Sequence, residues 1–314
     1  MSNESTAKTY HDVGTLDLTG MTAEDLANVE SIHDVGTILV PESLMGALAK
    51  IPISNVGDTI PVPDGKKVQI RNINGPVQMG GDSFSTQDDG TLTFMMLNGP
   101  LVFTSPVTNT QNVQLVINGP VFAPHGSGDA LGAAIQQLNG PLVYYNPGDG
   151  EMKVHTGMAK LHASAFANTN GKPEDILLIA GQLFVTGTIE SIGYRQVYIV
   201  GQALIPKENV EILSSYMEVT GQAIWYPGDT EPRLFNGEES FSTFFFEYLD
   251  ESITMIINGE ATFDDDVTVD MVRENVREVI LNGVIKAPKH LVPLLQVLAK
   301  EKNGVIQVMG EDEA

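Results

Sequence analysis

Residues Gln111–Pro124 read QNVQLVINGPVFAP. Val113, Leu115 and Ile117 alternate with their neighbours, as on a strand with one buried face, and the run stops at Asn118-Gly119. Pro120 follows, then the short apolar run Val121-Phe122, then a closing Pro124. The same sentence recurs as IRNINGPVQM from Ile70, FMMLNGPLVF from Phe94 and IQQLNGPLVYYNP from Ile135. Proline has no N–H to give to a ladder, so Pro76, Pro100, Pro120 and Pro141 cannot stack in the middle of a sheet. The NGP unit is therefore a corner, with asparagine and glycine tolerating the left-handed backbone a sharp bend demands. Asn74, Asn98, Asn118 and Asn139 should then stack at the corner and bond side chain to side chain.

Working outward, the repeated glycine recurs at Gly14, Gly36, Gly57, Gly75, Gly99, Gly119, Gly140, Gly157, Gly181, Gly201, Gly221, Gly237, Gly259, Gly283 and Gly310. Most intervals are 18–24 residues; the outliers are 16 before Gly237, 17 before Gly157 and 27 before Gly310. A period near 20 is the mark of a solenoid, in which each coil buries its apolar face only against its neighbours. The fold class expected is a repeat solenoid, mainly β, with stacked parallel strands and short helices on the return side.

The organisation expected is a disordered start at 1–9, a single solenoid over 10–310 and an acidic tail at 311–314. Within the solenoid, 10–66 holds helix-containing coils in which HDVGT at His11 and His33 alternates with segments such as PESLMGALAKI. The NGP coils occupy 67–150, and 151–175 is the least regular stretch. In 176–230 the corner becomes Gly-Gln, so Gln182, Gln202 and Gln222 should stack through their amides. In 231–310 come NGE and C-terminal coils, with Asn258 and Asn282 at the corner and Glu238 and Glu260 beside it, facing water because stacked like charges repel. Helix-compatible returns include GDALGAAIQQL, KENVEILSSYM, VDMVRENVREV and KHLVPLLQVLAKEK, the last with Pro293 early enough for a first turn.

A strand, a corner and a short helix in so few residues resembles the leucine-rich repeat: Val113, Leu115 and Asn118 match the L-x-L-x-x-N portion, and Pro124 sits where short bacterial repeats carry proline. The chain departs from that family where Pro120 replaces an apolar residue and where most coils lack the full leucine framework. The alternative is a right-handed β-helix, including the bactofilin-like kind, which VTGQAIW and IVGQALI also fit. Either resemblance implies one continuous ladder; at a spacing of about 4.8 Å, fifteen coils would extend for about 70 Å.

Composition narrows the function. The net charge is −23, a field that repels phosphate backbones and anionic lipid, so neither nucleic acid nor membrane is expected as a partner. Cysteine is absent, which removes disulfides, thiolate chemistry and Cys-based zinc sites. No basic-then-apolar leader opens the chain, and no run approaches the ~18 apolar residues of a membrane span. A cytoplasmic location is expected by default.

No catalytic or cofactor-binding set is expected. His11 and His33, with Asp12 and Asp34, could pair in adjacent coils to hold a divalent cation; a strand-start motif whose aspartate satisfies a turn is preferred, and no metal site is assigned. A polysaccharide-acting β-helix enzyme is the less favoured reading: FDDDVTVD from Phe263 clusters Asp264, Asp265 and Asp266 as such enzymes do, yet no Arg or Lys cluster is nearby, and a helix-capping turn is preferred. The segment FSTFFFEYL carries the interaction reading. Alternation along it would bury one set of Phe241, Phe244, Phe245, Phe246 and Tyr248 and expose the other. The function expected is a non-catalytic structural or protein-interaction scaffold, including self-association through this surface or a coil end, with a protein- or glycan-binding face as the alternative.

Overall fold

The computed structural model describes residues 8–84 and 90–310. The first seven residues of the expected disordered start and the tail 311–314 lie outside them. Lys8 and Thr9, assigned to that start, instead open the first strand, where the Lys8 amide donates to the Asn28 carbonyl at 2.9 Å. Strand accounts for 53% of the described residues and helix for 18%. Every pairing between described strands is parallel, so helices are confined to the connections, as in a solenoid-like fold. No helix among the described residues is long and apolar enough to cross a membrane.

The chain forms two compact units, Met1–Asn146 and Pro147–Ala314. In the first, β1 (Lys8–Asp17), α1 (Ala23–Ala27), β2 (Val29–Pro41), α2 (Met45–Leu48) and β3 (Ile53–Val62) make a three-stranded sheet with its returns. The NGP repeats follow as β4 (Val68–Asn74), β5 (Val77–Met79), β6 (Leu92–Asn98), β7 (Leu101–Phe103), β8 (Val113–Asn118), β9 (Val121–Pro124), α3 (Gly128–Ala134), β10 (Ile135–Asn139) and β11 (Leu142–Tyr145). Each NGP strand breaks at Gly-Pro into two, giving the four-stranded sheets β10-β8-β6-β4 and β11-β9-β7-β5. This is the expected corner: the ladder resumes one residue beyond each proline, Val77 N–H reaching the Pro100 carbonyl and Leu101 N–H the Pro120 carbonyl, both at 2.9 Å.

The second unit holds β12 (Met152–His162), β13 (Ile176–Thr186), β14 (Gln196–Pro206), α4 (Val210–Leu213) and β15 (Met217–Tyr226) in one sheet. A second sheet is built from β16 (Glu231–Phe241), α5 (Thr243–Glu247), β17 (Ile253–Phe263), α6 (Val269–Asn275), β18 (Val276–Ala287), α7 (Val292–Leu298), β19 (Ala299–Lys302) and β20 (Val305–Val308). Where glutamine or glutamate replaces the corner proline, the strand runs through unbroken, because those residues have the N–H that proline lacks.

Each unit buries apolar side chains on both faces of its sheets. In the first, Ile38 and Val40 face the helices with Leu26 and Leu48, while Leu39, between them, joins Ile60, Leu92, Phe94 and Val116 in a seam between two sheets. In the second, Leu204, Ile224, Tyr226, Ile256 and Ile280 form the corresponding seam, with Leu213 packed on the helix side of one sheet and Val272 and Leu295 on that of the other. Two tyrosines recur in equivalent places: Tyr145 donates to the Phe103 carbonyl and Tyr226 to the Val185 carbonyl. Burial pushes both phenols up to about 12.

Among the described residues the strands do not form one unbroken ladder. Pairing stops after β3, after β10 and β11, and after β15. The reason is length. Returns within a sheet run from 9 residues (187–195) to 13 (163–175), whereas the links after the stops have 5 (63–67), 6 (146–151) and 4 (227–230). A parallel neighbour needs a crossover of about a dozen residues, so a link this short ends the sheet. Two further expectations are corrected. The stretch 151–175 is not irregular throughout: β12 pairs with β13 over all eleven positions, Gly157 opposite Gly181. And the last repeat glycine is Gly304, not Gly310: a Cβ at Gly304 would lie 1.8 Å from the Gly283 carbonyl oxygen, whereas one at Gly310 meets nothing.

Close approach explains the glycine column better than the turn does. At Gly201 (φ 132°) a Cβ would lie 1.9 Å from the Gly181 carbonyl oxygen, yet at Gly157, first in its column, nothing lies within 4 Å. In β1 to β3 the left-handed residue is Asp12, Asp34 and Asn55 (φ 56°, 55° and 51°) rather than the glycine two places on.

Candidate interaction surface

The aromatic run is not the alternating strand expected. Phe241 closes β16 and the rest is helix α5 with its C-cap at Tyr248. Burial follows the helical period instead. Phe241 and Phe246 are buried, Phe245 is half-buried against them, and Phe244 and Tyr248 point to solvent at 65% and 82% exposure. The Tyr248 amide donates to the Phe244 carbonyl at 3.3 Å, placing the exposed rings one turn apart.

The inward rings hold the helix down. Phe245 sits 4.8 Å from Phe241 and 5.1 Å from Phe246, edge to face. Phe235 lies 4.9 Å from Phe241, and Phe263 lies 5.3 Å from it. Such pairs contribute about 0.5–1.5 kcal/mol each beyond the area they bury. The next repeat adds a polar tie, the Thr243 hydroxyl donating to the Asp266 carbonyl at 2.9 Å. The two exposed rings are thus carried on a fastened turn.

The flanking sequence is acidic. Between Arg233 and Arg273 there are ten Asp and Glu and no Lys, Arg or His. Among the described residues two of those ten have cationic partners: Asp270 with Arg273 at 3.0 Å and Glu260 with Lys286 at 2.6 Å. Glu247, Asp250 and Glu251, in and just beyond α5, are exposed.

The other sequence candidates fall into structural roles. Asp264, Asp265 and Asp266 form the turn before α6: Asp264 accepts from the Ser240 hydroxyl at 3.1 Å, and Asp266 from the Thr243 amide at 3.4 Å. His11 and His33 do stack, with centroids 5.3 Å apart and planes 8° apart. Their Nδ1 atoms are held by Asp12 and Asp34 at 2.9 and 3.0 Å, and hydrogen bonds from Asn55 first and His33 second hold the Asp34 carboxyl below its usual range. Parallel rings this far apart do not converge on the ~2.0–2.1 Å a zinc ion requires of nitrogen. Among the described residues no group of three or more His, Asp or Glu could hold a metal ion.

The corner asparagines form the expected ladder: Asn139 to Asn118 at 2.7 Å, then Asn118 to Asn98 and Asn98 to Asn74 at 2.8 Å. All four are exposed. In the second unit the Gln182, Gln202 and Gln222 ladder meets a second one at the seam, Gln222 bonding Asn282 at 3.2 Å and Asn282 donating to Asn258 at 2.9 Å. This joint was not read from the sequence, since it depends on how two sheets pack. Neither was the Asp175 knot. That carboxylate, 1% exposed, accepts from the Glu151 amide at 2.8 Å and from the Lys172 amide and the Asn168 side chain at 3.0 Å. These bonds, the Asn168 one foremost, hold its carboxyl down at about 2. At the same seam, Glu278 is buried and bound by Lys207 at 2.8 Å, and burial first, with Glu278 second among the raising influences, pushes the Glu301 carboxyl up.

Compared with protein families, curated proteins and solved structures, the chain matches none.

Proposed function

We propose that the chain is a non-catalytic interaction scaffold, a parallel solenoid of the leucine-rich-repeat-like kind that presents Phe244 and Tyr248 to a protein partner. The helices in the returns favour this kind over a β-helix. The observation that carries the functional reading is the split within one aromatic run. Three rings lock α5 to the core, and two stay in water although burying such a side chain is worth about 1.5–3 kcal/mol. Aromatic side chains held this way are the usual anchors of protein interfaces. The proposal includes the cytoplasmic location.

A photo-reactive benzophenone amino acid in place of Tyr248, compared with the same group at exposed Lys172, tests the reading in cells. Discrete protein adducts at position 248 and none at 172 are expected. Equal labelling at both positions, or none at 248, refutes it.

A further inference from the structure

We infer that the occupant of the Phe244–Tyr248 face is a cationic, arginine- or lysine-bearing protein segment rather than a second copy of this chain. The inference rests on the proposed function and names the partner's chemistry. The face lies in a stretch of 39 residues, 234–272, that holds ten carboxylates and no cationic side chain. A second copy brings the same acidic stretch and the same net charge of −23. Two such faces opposed would place like charges against each other, a juxtaposition that excludes partners. An arginine or lysine segment meets the opposite field, which also speeds its encounter.

The rings supply what carboxylates alone lack. The faces of tyrosine and phenylalanine attract a cation placed within about 6 Å of the centroid, and the chain already makes this contact. Lys153 Nζ sits 5.5 Å from the Tyr194 centroid, and Lys160 Nζ sits 5.4 Å from that of Phe184. Among the described residues no cation of the chain lies over Phe244 or Tyr248. The exposed Glu247, Asp250 and Glu251, within four residues of Tyr248 in sequence, offer carboxylates to the same partner segment. Because α5 is already fastened by Phe241, Phe245 and Phe246, little ordering remains to oppose binding.

The test uses the full chain and labelled peptides alternating arginine with glycine, serine with glycine, and glutamate with glycine, followed by fluorescence anisotropy at physiological ionic strength. The arginine peptide should bind and the other two should not. The double variant Phe244→Ala/Tyr248→Ala, confirmed folded by circular dichroism, should weaken arginine-peptide binding by about tenfold without changing the net charge. Tyr248→Leu, which keeps apolar area and removes the ring face, should give part of that loss. Equal binding by the double variant and the wild type overturns the inference, since attraction is then diffuse charge. So does an arginine peptide that binds no better than the serine peptide. A photo-adduct at position 248 that proves to be a dimer of this chain overturns the cationic partner while leaving the scaffold reading intact. Absence of any adduct removes the scaffold reading itself.

Discussion

Replacing Asp175 by asparagine tests the local energetics most directly. Its carboxylate gathers three donors from two segments: the Glu151 amide ahead of β12, and the Lys172 amide and the Asn168 side chain in the return after it. Oδ1 serves the first and Oδ2 the other two. An asparagine has one acceptor oxygen, so either orientation turns its NH2 toward at least one of those donors. Leaving buried donors unpaired or opposed costs about 2–4 kcal/mol here. The charge carries its own pH signature. The carboxyl is held at about 2 against an ordinary 3.8, and at about 1.4 kcal/mol per pH unit this corresponds to about 2.4 kcal/mol. Discounted for screening by nearby solvent, about 1–2 kcal/mol remains.

Because the folded carboxyl is the stronger acid, this stabilisation is fully present above pH 3.8 and is lost as pH falls through about 2. The assay is urea denaturation of wild type and Asp175→Asn from neutral pH downward, with amide exchange at Glu151 and Lys172 as the local readout. The difference in stability should be constant above pH 5 or so and shrink by about 1–2 kcal/mol as pH 2 is approached. Other carboxylates titrate in both proteins and cancel. A gap that stays constant over the whole range would refute the charged role of Asp175.

Two further pairs of substitutions separate stacking from turn geometry and exposed from buried bonds. Gly201→Ala, where the new Cβ meets the Gly181 carbonyl at 1.9 Å, should destabilise by more than about 3 kcal/mol; Gly157→Ala, in open space at φ 77°, should cost only about 1–2 kcal/mol, read by urea midpoints. Asn118→Ala removes two exposed ladder bonds and should lower stability by about 0.5–1.5 kcal/mol. Asn209→Ala removes a fully buried side chain that accepts from the Ile189 amide and donates to the Gly187 carbonyl, and with two backbone groups left unpaired it should cost about 2–4 kcal/mol. Equal shifts in melting temperature within either pair would contradict these assignments.

Gly99, Gly119 and Pro120 made the strands, their parallel stacking and the corner legible, because a missing N–H and a left-handed turn are local facts. The stops between sheets are also written in the spacing. With Gly304 in place of Gly310, every glycine interval lies between 20 and 24 except 18 before Gly75, 17 before Gly157 and 16 before Gly237. Those three are where pairing ends, because the residues missing from each interval are those a parallel return requires. The aromatic run failed for the complementary reason. Phenylalanine favours strand over helix, and locally FSTFFFEYL reads as alternation. Its conformation is decided from outside. Ile253 must come back to pair with Glu231 in a parallel register, which makes 242–252 a return of eleven residues, and a short helix reverses the chain while keeping its backbone bonded. That constraint regroups the rings. Alternation would have set Phe244, Phe246 and Tyr248 together, whereas the helical turn draws Phe246 inward with Phe245 and leaves Phe244 and Tyr248 outside. The surface proposed to bind a partner therefore exists because of the spacing of the repeat, so shortening 242–252 below the length of a return should abolish the ring pair and the sheet together.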